Sequence, residues 1–361
     1  MTPRPIMIMA GGTGGHVYPA LAVADELRNR GVPVVWLGTR KGIEARLVTE
    51  AGFEMEWLGV SALRGKGLLS LLIAPFSLCV ACFQALRILT RRNPCVVLGM
   101  GGFVAGPGGL MAWLIRKPLV VHEQNAVPGL TNKILAKLAT VVLEAFPNSF
   151  PADIRGAVHV GNPIRRSIAT LAEPDERMKD REGALRLLIF GGSLGAAVLN
   201  EVVPQALAVL PKDKRPLVWH QTGAKNIEQA TTHYAQLQIP ARLDAYIDNM
   251  AEAYGWADLV LCRAGAMSVS ELAAAGVGSI LVPYPHAVDD HQTANAMVLV
   301  DAGAAILLPQ NLLSVEKLQG LLADMTRSNV MDMANRARRL GLPQSTRLVV
   351  EQCLSAGGIS C

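Results

Sequence analysis

Two glycine-rich segments of this 361-residue chain have the residue types of phosphate-binding turns. Each follows an apolar run typical of a β-strand and continues into an amphipathic helical pattern; the segments are residues 11–16 (GGTGGH) and 191–196 (GGSLGA). In a strand–turn–helix unit, backbone N–H groups and the positive end of the helix dipole face the same point and can bind a phosphate there. Two such units predict two nucleotide-type folds in one chain.

The first turn ends in His16 and does not match the common nucleotide fingerprints. No glycine occupies the last position of a G-x-G-x-x-G pattern, the next strand pattern (34–40) ends without an acid for an adenosine ribose, and no Gly-Lys-Ser/Thr closes the turn. A histidine beside a phosphate-facing turn is well placed for proton transfer. The alternatives are that the glycines serve packing alone and that His16 caps the helix.

The elements that position these turns alternate between strand and helix in both halves of the chain. Such alternation predicts a parallel, doubly wound α/β sheet in each half. The predicted strands are residues 5–10, 32–38, 53–59, 95–98, 118–122 and 140–143, then 185–190, 216–221, 241–245, 259–262, 279–282 and 305–308. The first helix is expected from residue 17, and a last helix at 344–356. A Gly-Asn-Pro sequence at 161–163 predicts a domain boundary near residue 162.

The charge is distributed unevenly along the chain. Up to Ile164 there are 16 Lys and Arg against 9 Asp and Glu, and beyond it 18 against 20. A basic first half predicts an anionic partner there, either a phosphate-bearing substrate or lipid headgroups. Aromatic residues make up only 5% of the chain, too few for base-stacking platforms, so a nucleic-acid partner is not expected.

An uncharged segment at residues 67–86 lies between basic residues, namely Arg64, Lys66, Arg87, Arg91 and Arg92. Its length just reaches that of a membrane span, but Pro75 lies in its middle and a span would separate strands of one sheet. The other two alternatives are a buried crossover helix and a partly exposed apolar patch that rests on an anionic membrane surface. The N-terminus enters a strand pattern without a signal-peptide core, so a cytoplasmic protein is expected.

Six ordered motifs resemble the MurG family of glycosyltransferases and together span nearly the whole chain. They are residues 11–16, 101–107 (GGFVAGP), 122–129 (HEQNAVPG), 161–165 (GNPIR), 191–196 and 262–271 (CRAGAMSVSE). The resemblance implies the GT-B fold: two Rossmann-like, doubly wound parallel-sheet domains that face each other across a cleft. Their expected bounds are 1–162 for the acceptor domain and 163–340 for the donor domain, with 341–361 as a helix that returns to the first domain.

The resemblance also implies an inverting reaction. N-acetylglucosamine would move from UDP-GlcNAc to the C4 hydroxyl of the muramic acid of lipid I, forming lipid II in peptidoglycan synthesis. Inversion requires a base for the acceptor hydroxyl. His16 is the candidate, Glu123 is a weaker one, and the acceptor and its pyrophosphate would be positioned by Thr13, Gly14, Gly15 and Asn125.

In the second domain, the resemblance implies a UDP-GlcNAc site. Arg165 and Ser193 would contact the diphosphate, Ile247 the uracil through its backbone, and Gln292 the donor sugar. A helix opening beside the nucleotide would be formed by Ala266, Met267, Ser268, Val269, Ser270 and Glu271. Glu271 can accept from both ribose hydroxyls, Arg165 supplies a fixed charge, and Ser268 and Ser270 are alternatively helix caps.

One departure from the family pattern and two rival functions accompany this interpretation. The family often has adjacent glutamines where this chain has His291 and Gln292, so His291 carries no assigned role, although an Asp290–His291 acid–base pair is an alternative. No Asp-x-Asp pair is present, so neither a metal nor another cofactor is expected. The rivals are a UDP-sugar 2-epimerase on the same fold and a non-catalytic membrane scaffold.

The expected partners are UDP-GlcNAc, lipid I and the membrane surface, with cell-wall and division proteins as further candidates. The implied location is peripheral, on the cytoplasmic face of the inner membrane. The lipid tail of the acceptor requires it, because each methylene exposed to water costs about 0.8 kcal/mol.

Overall fold

The computed structural model describes residues 4–59, 68–154, 156–192 and 195–359, with backbone alone at 68–74 and 288. The chain divides into two compact units. The first unit comprises Met1–Arg165 and Gln344–Cys361, and the second comprises Arg166–Pro343.

The described part of the first unit holds a seven-stranded parallel sheet in the order β3-β2-β1-β4-β5-β6-β7. Its strands are β1 (Ile6–Met9), β2 (Val34–Thr39), β3 (Glu54–Leu58), β4 (Val96–Gly99), β5 (Leu119–Glu123), β6 (Val141–Glu144) and β7 (Val158–His159). The helices that precede the second unit are α1 (Gly14–Asn29), α2 (Glu44–Glu50), α3 (Leu68–Arg92), α4 (Ala105–Leu114) and α5 (Leu130–Ala136). Strands β1, β4 and β5 are fully buried, as expected for a sheet covered on both faces.

The second unit repeats this plan with six parallel strands in the order β10-β9-β8-β11-β12-β13. They are β8 (Arg186–Phe190), β9 (Leu217–Gln221), β10 (Arg242–Asp244), β11 (Leu259–Cys262), β12 (Gly278–Leu281) and β13 (Ala305–Leu307). The helices are α6 (Arg166–Ala169), α7 (Pro174–Met178), α8 (Ala197–Val209), α9 (Ile227–Gln236), α10 (Met250–Trp256), α11 (Ala266–Ala275), α12 (His291–Val300), α13 (Val315–Ala323) and α14 (Arg327–Leu340). The doubly wound parallel sheet predicted for each half is therefore confirmed.

Strand order places both glycine turns at equivalent positions. In each sheet the connections reverse direction between two neighbouring strands, β1 and β4 in the first unit and β8 and β11 in the second. Ligands of open α/β sheets bind at the carboxyl ends of the strands at such a reversal. The turns at 11–16 and 191–196 follow β1 and β8 directly, so each begins at this position.

Helix α1 begins at Gly14, earlier than the expected residue 17. Glycine is a poor helix former, which is why the sequence pattern placed both glycines in the turn. The ring of Tyr18 explains Gly14, because a Cβ there would lie 3.1 Å from a ring carbon of Tyr18. As a result, Gly14 and Gly15 supply the first N–H groups of the helix, which have no intrahelical acceptor.

The final helix, α15 (Ser345–Ala356), packs into the core of the first unit. Its buried side chains Val349, Val350, Cys353 and Leu354 join the cluster that contains β1, β4 and α1. Thr346 also donates a hydrogen bond to the carbonyl of Ile164 at 3.1 Å.

Candidate active site

His16 lies in the first turn of α1, and its ring is half-buried. The space for the ring exists because residue 101 is glycine: a Cβ there would lie 2.7 Å from Nδ1 and Cε1 of His16. Gly101 also has a φ of +96°, which glycine adopts without strain. The next residue, Gly102, approaches the backbone of Gly11 so closely that a Cβ would lie 2.3 Å from its carbonyl oxygen. The glycine pair that follows β4 therefore fits against the turn that follows β1.

A chain of hydrogen bonds runs from His16 into the buried end of β5. Nδ1 of His16 lies 3.0 Å from Oε1 of Gln124. Nε2 of Gln124 lies 3.1 Å from Nδ1 of His122, whose Nε2 lies 2.9 Å from the carbonyl oxygen of Gly161. Gln124 and His122 are 1% and 0% exposed, so water does not compete for these bonds.

Burial lowers the pKa of His122 from 6.5 to about 4. In the unfolded chain the imidazole of His122 takes up a proton near pH 6.5, whereas in the folded chain it does so only near pH 4. Protonation of His122 therefore favours the unfolded state between these two pH values. The first unit should keep its full stability above pH 6.5 and lose up to about 3 kcal/mol between pH 6.5 and 4. Hydrogen exchange of the β5 amides measures this loss. His122→Gln should make the stability of the first unit less dependent on pH. If stability falls as steeply with pH in this variant as in the wild type, His122 is not the group responsible. His233→Gln is the control.

A buried carboxylate holds the first glycine turn from behind. Oε2 of Glu44 accepts from the N–H of Gly12 at 3.0 Å, and Oε1 accepts from the N–H and hydroxyl of Thr39 at 3.0 and 2.8 Å. Glu44 is 1% exposed, and its carboxylate would collide with a Cβ at Gly11 or Gly42. The N–H of Gly12 is therefore occupied, and anion binding at this turn falls to the helix N-terminus at Gly14 and Gly15.

The other base suggested by the sequence, Glu123, is engaged in structural hydrogen bonds. Its Oε1 accepts from the backbone and side-chain N–H groups of Asn125, and its Oε2 accepts from Gly129 N and Asn132 Nδ2, at 2.8–3.2 Å. Glu123 is 2% exposed. These bonds shape the loop that carries Asn125, so the geometry favours His16 over Glu123 as the base.

The second unit contains a cavity of about 510 Å³ at the carboxyl end of β8. Its lining includes both ends of the described glycine turn, one cation and several amide and aromatic side chains: Gly191, Gly195, Ala196, Ala197, Val198, Arg263, Tyr284, His286, Gln292 and Gln310. The predicted donor-sugar contact, Gln292, is thus at the cavity. Its Oε1 accepts from the N–H of Tyr284 at 2.9 Å, which fixes which end of the amide remains for a ligand.

Arg263 lines this cavity and belongs to the 262–271 motif, although the resemblance implied no role for it. Its guanidinium donates to Gln310 Oε1 at 2.6 Å and to the carbonyls of Val282 and Pro283 at 3.2 Å. Burial lowers the pKa of Arg263, because its charge is only partly solvated. An anionic ligand would compensate for that lost solvation. The signal in the sequence was a lone arginine directly after a buried strand.

A larger cavity, about 660 Å³, lies between α8 and α9. It is lined by Ala197, Asn200, Glu201, Gln205, Asn226, Gln229, Ala230, Thr232, His233 and Gln236. No arginine or lysine is present among these lining residues, so it offers a diphosphate less than the Arg263 cavity does.

Helix α11 carries the predicted run of donor-site residues at its start. Its N-cap is Gly265, and no side chain caps it, so the suggestion that Ser268 or Ser270 caps the helix is wrong: both lie inside it. The run consists of Ala266, Met267, Ser268, Val269, Ser270 and Glu271. Glu271 is 8% exposed, and its Oε2 accepts from the hydroxyl of Tyr254 at 3.1 Å.

Three further residues were predicted for the donor site, namely Ile247, Arg165 and Ser193. Ile247 lies between β10 and α10 and is buried, at 6% exposed. Arg165 is half-buried and is the last residue of the first unit before the boundary. Ser193 lies outside the described residues.

Comparison with known proteins agrees with this arrangement. Residues 6–144 match the glycosyltransferase family 28 N-terminal domain, and residues 186–346 match its C-terminal domain. Two relatives carry the name UDP-N-acetylglucosamine--N-acetylmuramyl-(pentapeptide) pyrophosphoryl-undecaprenol N-acetylglucosamine transferase. The one from Nitrosococcus oceani is 55% identical over 97% of this chain and 98% of its own. The one from Marinobacter nauticus is 52% identical over 98% of each.

Among solved structures, MurG of Acinetobacter baumannii is similar to this chain, with a TM-score of 0.85 and 41% identity. The match covers 98% of this chain and 100% of that one. The agreement in fold, the two matched domains and the identity over nearly the full length lead to one assignment. The chain belongs to the MurG family, within glycosyltransferase family 28.

Proposed function

We propose that this protein transfers N-acetylglucosamine from UDP-GlcNAc to the C4 hydroxyl of the muramic acid of lipid I, with inversion, to form lipid II. The observation that carries the proposal is the pair of sites at the two strand reversals. In the first unit His16 stands beside a helix N-terminus, and in the second Arg263 and Gln292 line a cavity next to a glycine turn. Relatives at more than half identity carry the name of this activity.

The reaction is one displacement at C1 of the donor sugar. The C4 oxygen of the acceptor forms a bond to C1 as the bond between C1 and the β-phosphate oxygen breaks, and UDP leaves with that electron pair. Nε2 of His16 accepts the hydroxyl proton and later returns it to solvent. A positioned base of this kind contributes about 10²–10⁴ in rate.

The leaving diphosphate gains negative charge as the bond breaks, so donors aimed at it lower the barrier. We assign this role to Arg165, Arg263, Ser193 and the N-terminus of α11. Glu271 and the backbone of Ile247 would hold the ribose and uracil, and Gln292 the sugar. On the acceptor side, Thr13, Gly14, Gly15 and Asn125 would hold the sugar and pyrophosphate.

Transfer of labelled sugar from UDP-GlcNAc to a lipid I analogue tests the proposal. We expect a disaccharide product that requires acceptor, together with stoichiometric UDP. Formation of UDP-N-acetylmannosamine from the donor alone would instead identify an epimerase. Absence of both products, with donor and acceptor bound, would favour a scaffold.

The same proposal places the protein on the membrane surface, at its cytoplasmic face. In the described part of the chain, no helix is both long and apolar enough to cross a membrane. Exposed apolar side chains nevertheless occur on three neighbouring helices of the first unit, α3, α4 and α5, and we infer that they form one apolar surface. They are Phe76, Phe83, Trp113, Leu114, Leu130 and Ile134. Phe76 and Phe83 are 72% and 68% exposed, whereas Ala81, Ala85 and Leu89 of the same helix are 0% exposed. Helix α3 is therefore a crossover helix between β3 and β4 that has one face in the core and apolar side chains on its exposed face.

The basic residues expected around this surface differ in availability. Arg91 and Arg92 both pair with Glu56 at 2.5 Å, and Arg92 also pairs with Glu54. They are therefore structural contacts of α3 with β3 rather than free lipid contacts. Arg87 is exposed, and no ion pair of it is found within the described ranges. Arg64 and Lys66 lie outside the described residues.

The double substitution of Phe76 and Phe83 by serine should lower the affinity for anionic vesicles by about tenfold or more for each phenylalanine. The reason is that burial of one such side chain in the membrane stabilises the bound state by about 1.5–3 kcal/mol. Arg87→Gln should lower binding about fivefold, from about 1 kcal/mol per basic residue near an anionic leaflet. Vesicle flotation measures both effects. Activity on vesicle-borne acceptor should fall in parallel, while activity on a short-chain soluble acceptor should persist.

The matched control is Val209→Ser with Leu217→Ser, two exposed apolar residues of the second unit. This variant should bind vesicles as the wild type does. Equal losses on soluble and vesicle-borne acceptors in the phenylalanine variant would mean that the surface is needed for folding, not for lipid binding.

A further inference from the structure

We propose that Gln124 is a positioning residue that holds His16 as the Nδ1–H tautomer, so that Nε2 presents its lone pair to the acceptor hydroxyl. The inference deepens the proposed function and rests on it, because it concerns the base of that reaction. Gln124 lies within the 122–129 motif, but the resemblance implied no role for it.

The carbonyl of Gly161 lies at the buried end of this series of hydrogen bonds. A carbonyl oxygen can only accept, so Nε2 of His122, 2.9 Å from the carbonyl of Gly161, must carry the hydrogen. His122 is fully buried and therefore neutral at physiological pH. A neutral imidazole has one N–H, which leaves Nδ1 of His122 as an acceptor.

The acceptor at His122 fixes the orientation of the Gln124 amide. Only the NH₂ group can satisfy Nδ1 of His122, at 3.1 Å, and the same nitrogen also lies 3.2 Å from the carbonyl of His122. The backbone of Gln124 is held as well, because Nδ2 of Asn162 donates to its carbonyl at 2.9 Å. The amide cannot flip without leaving these groups unpaired in a site that is 1% exposed, which costs about 1–3 kcal/mol per group.

The amide orientation in turn fixes His16. With its NH₂ turned to His122, Gln124 presents Oε1 to His16, and an amide oxygen can only accept. Nδ1 of His16, 3.0 Å away, must therefore carry the hydrogen, and neutral His16 has its lone pair on Nε2. The carbonyl of Gly161, at the buried end of this series of hydrogen bonds, thus determines which ring nitrogen of His16 acts as the base.

The test is ¹⁵N NMR of protein labelled in its seven histidines, which distinguishes protonated from unprotonated ring nitrogens. The His16 signals are identified by their loss in His16→Ala. Wild-type His16 in its neutral form should show a protonated Nδ1 and an unprotonated Nε2. Gln124→Met, which keeps the side-chain length but loses both hydrogen bonds, should give a mixture of tautomers and lower kcat about three- to tenfold, with KM for UDP-GlcNAc unchanged.

Two further variants separate positioning from structure. Gln124→Glu keeps an acceptor for Nδ1 of His16 and should retain the Nδ1–H tautomer. Gln84→Met removes another glutamine hydrogen bond of the first unit, that to the N–H of Gly59, and should leave the His16 signals unchanged. An unaltered His16 tautomer in a folded Gln124→Met protein would overturn the proposal. If the His16 tautomer changes in Gln124→Met while His16→Ala keeps full activity, Gln124 does hold the His16 tautomer but His16 is not the base.

Discussion

Replacing His16 with alanine should lower kcat for sugar transfer by about 10²–10⁴-fold, the usual contribution of a positioned general base. The affinity for UDP-GlcNAc should not change, because the cavity proposed to bind the donor is lined by residues of the second unit. The half-buried ring lies against Gly101, which has no side chain to lose packing when the ring is removed. Steady-state kinetics on a soluble acceptor, with donor titration by calorimetry, measures both quantities.

A control for this experiment is His233→Ala, which removes another half-buried histidine from α9 of the second unit. It should leave kcat at the wild-type value. If His16→Ala binds both substrates normally and turns over at the wild-type rate, His16 takes no part in proton transfer. Because Glu123 has its carboxylate engaged by Asn125, Gly129 and Asn132, the proton would then have to pass to another group.

Glu271→Ala should weaken UDP-GlcNAc binding by about ten- to a hundredfold for each ribose hydroxyl that loses its carboxylate partner, from about 1.5–3 kcal/mol per charge-assisted hydrogen bond. The carboxylate is preformed for this contact, because it is buried on α11 and accepts from Tyr254. The sharpest measurement compares UDP with 2′-deoxy-UDP. Wild-type protein should prefer UDP, and the variant should bind both alike.

Tyr254→Phe provides the matched control for Glu271→Ala. It removes the hydroxyl that holds Oε2 while it leaves the carboxylate in place, so the preference for UDP should persist in weakened form. If Glu271→Ala retains the full preference for UDP over its 2′-deoxy form, then Glu271 does not contact the ribose, and the role assigned to the start of α11 fails.

The strands could be predicted from the sequence because buried parallel strands are continuous apolar runs. Every predicted strand overlaps an observed one within a residue or two, from β1 to β13, whereas the short β7 at Val158–His159 was missed because both of its residues are exposed. The start of α1 was missed because glycine has a low intrinsic helix propensity, and the contact of Gly14 with the ring of Tyr18, one turn further along the same helix, exists only once the helix has formed.

The site was predictable only where a motif gathers its residues in sequence. His16, Gln292 and Glu271 lie in or near such motifs. Glu44 was missed because its bond to Gly12 joins residues 32 positions apart. Gln124 lies inside the 122–129 motif, but the role proposed for it depends on Gly161, which only the fold brings close. The pairing of Arg91 and Arg92 with Glu56 was hidden for the same reason.

The packing of α15 into the first unit has a consequence for biosynthesis. The core around β1, β4 and α1 includes Val349, Val350, Cys353 and Leu354, so it stays incomplete while the ribosome is still translating the second unit. The second unit, by contrast, is one continuous stretch, Arg166–Pro343, and all of its strands have emerged before α15 has been made. In most nascent chains the N-terminal domain folds first. Here the core of the second unit can be completed before the core of the first unit. The nascent first unit must keep an apolar face of its sheet covered by other means, a chaperone among them, until the last helix arrives.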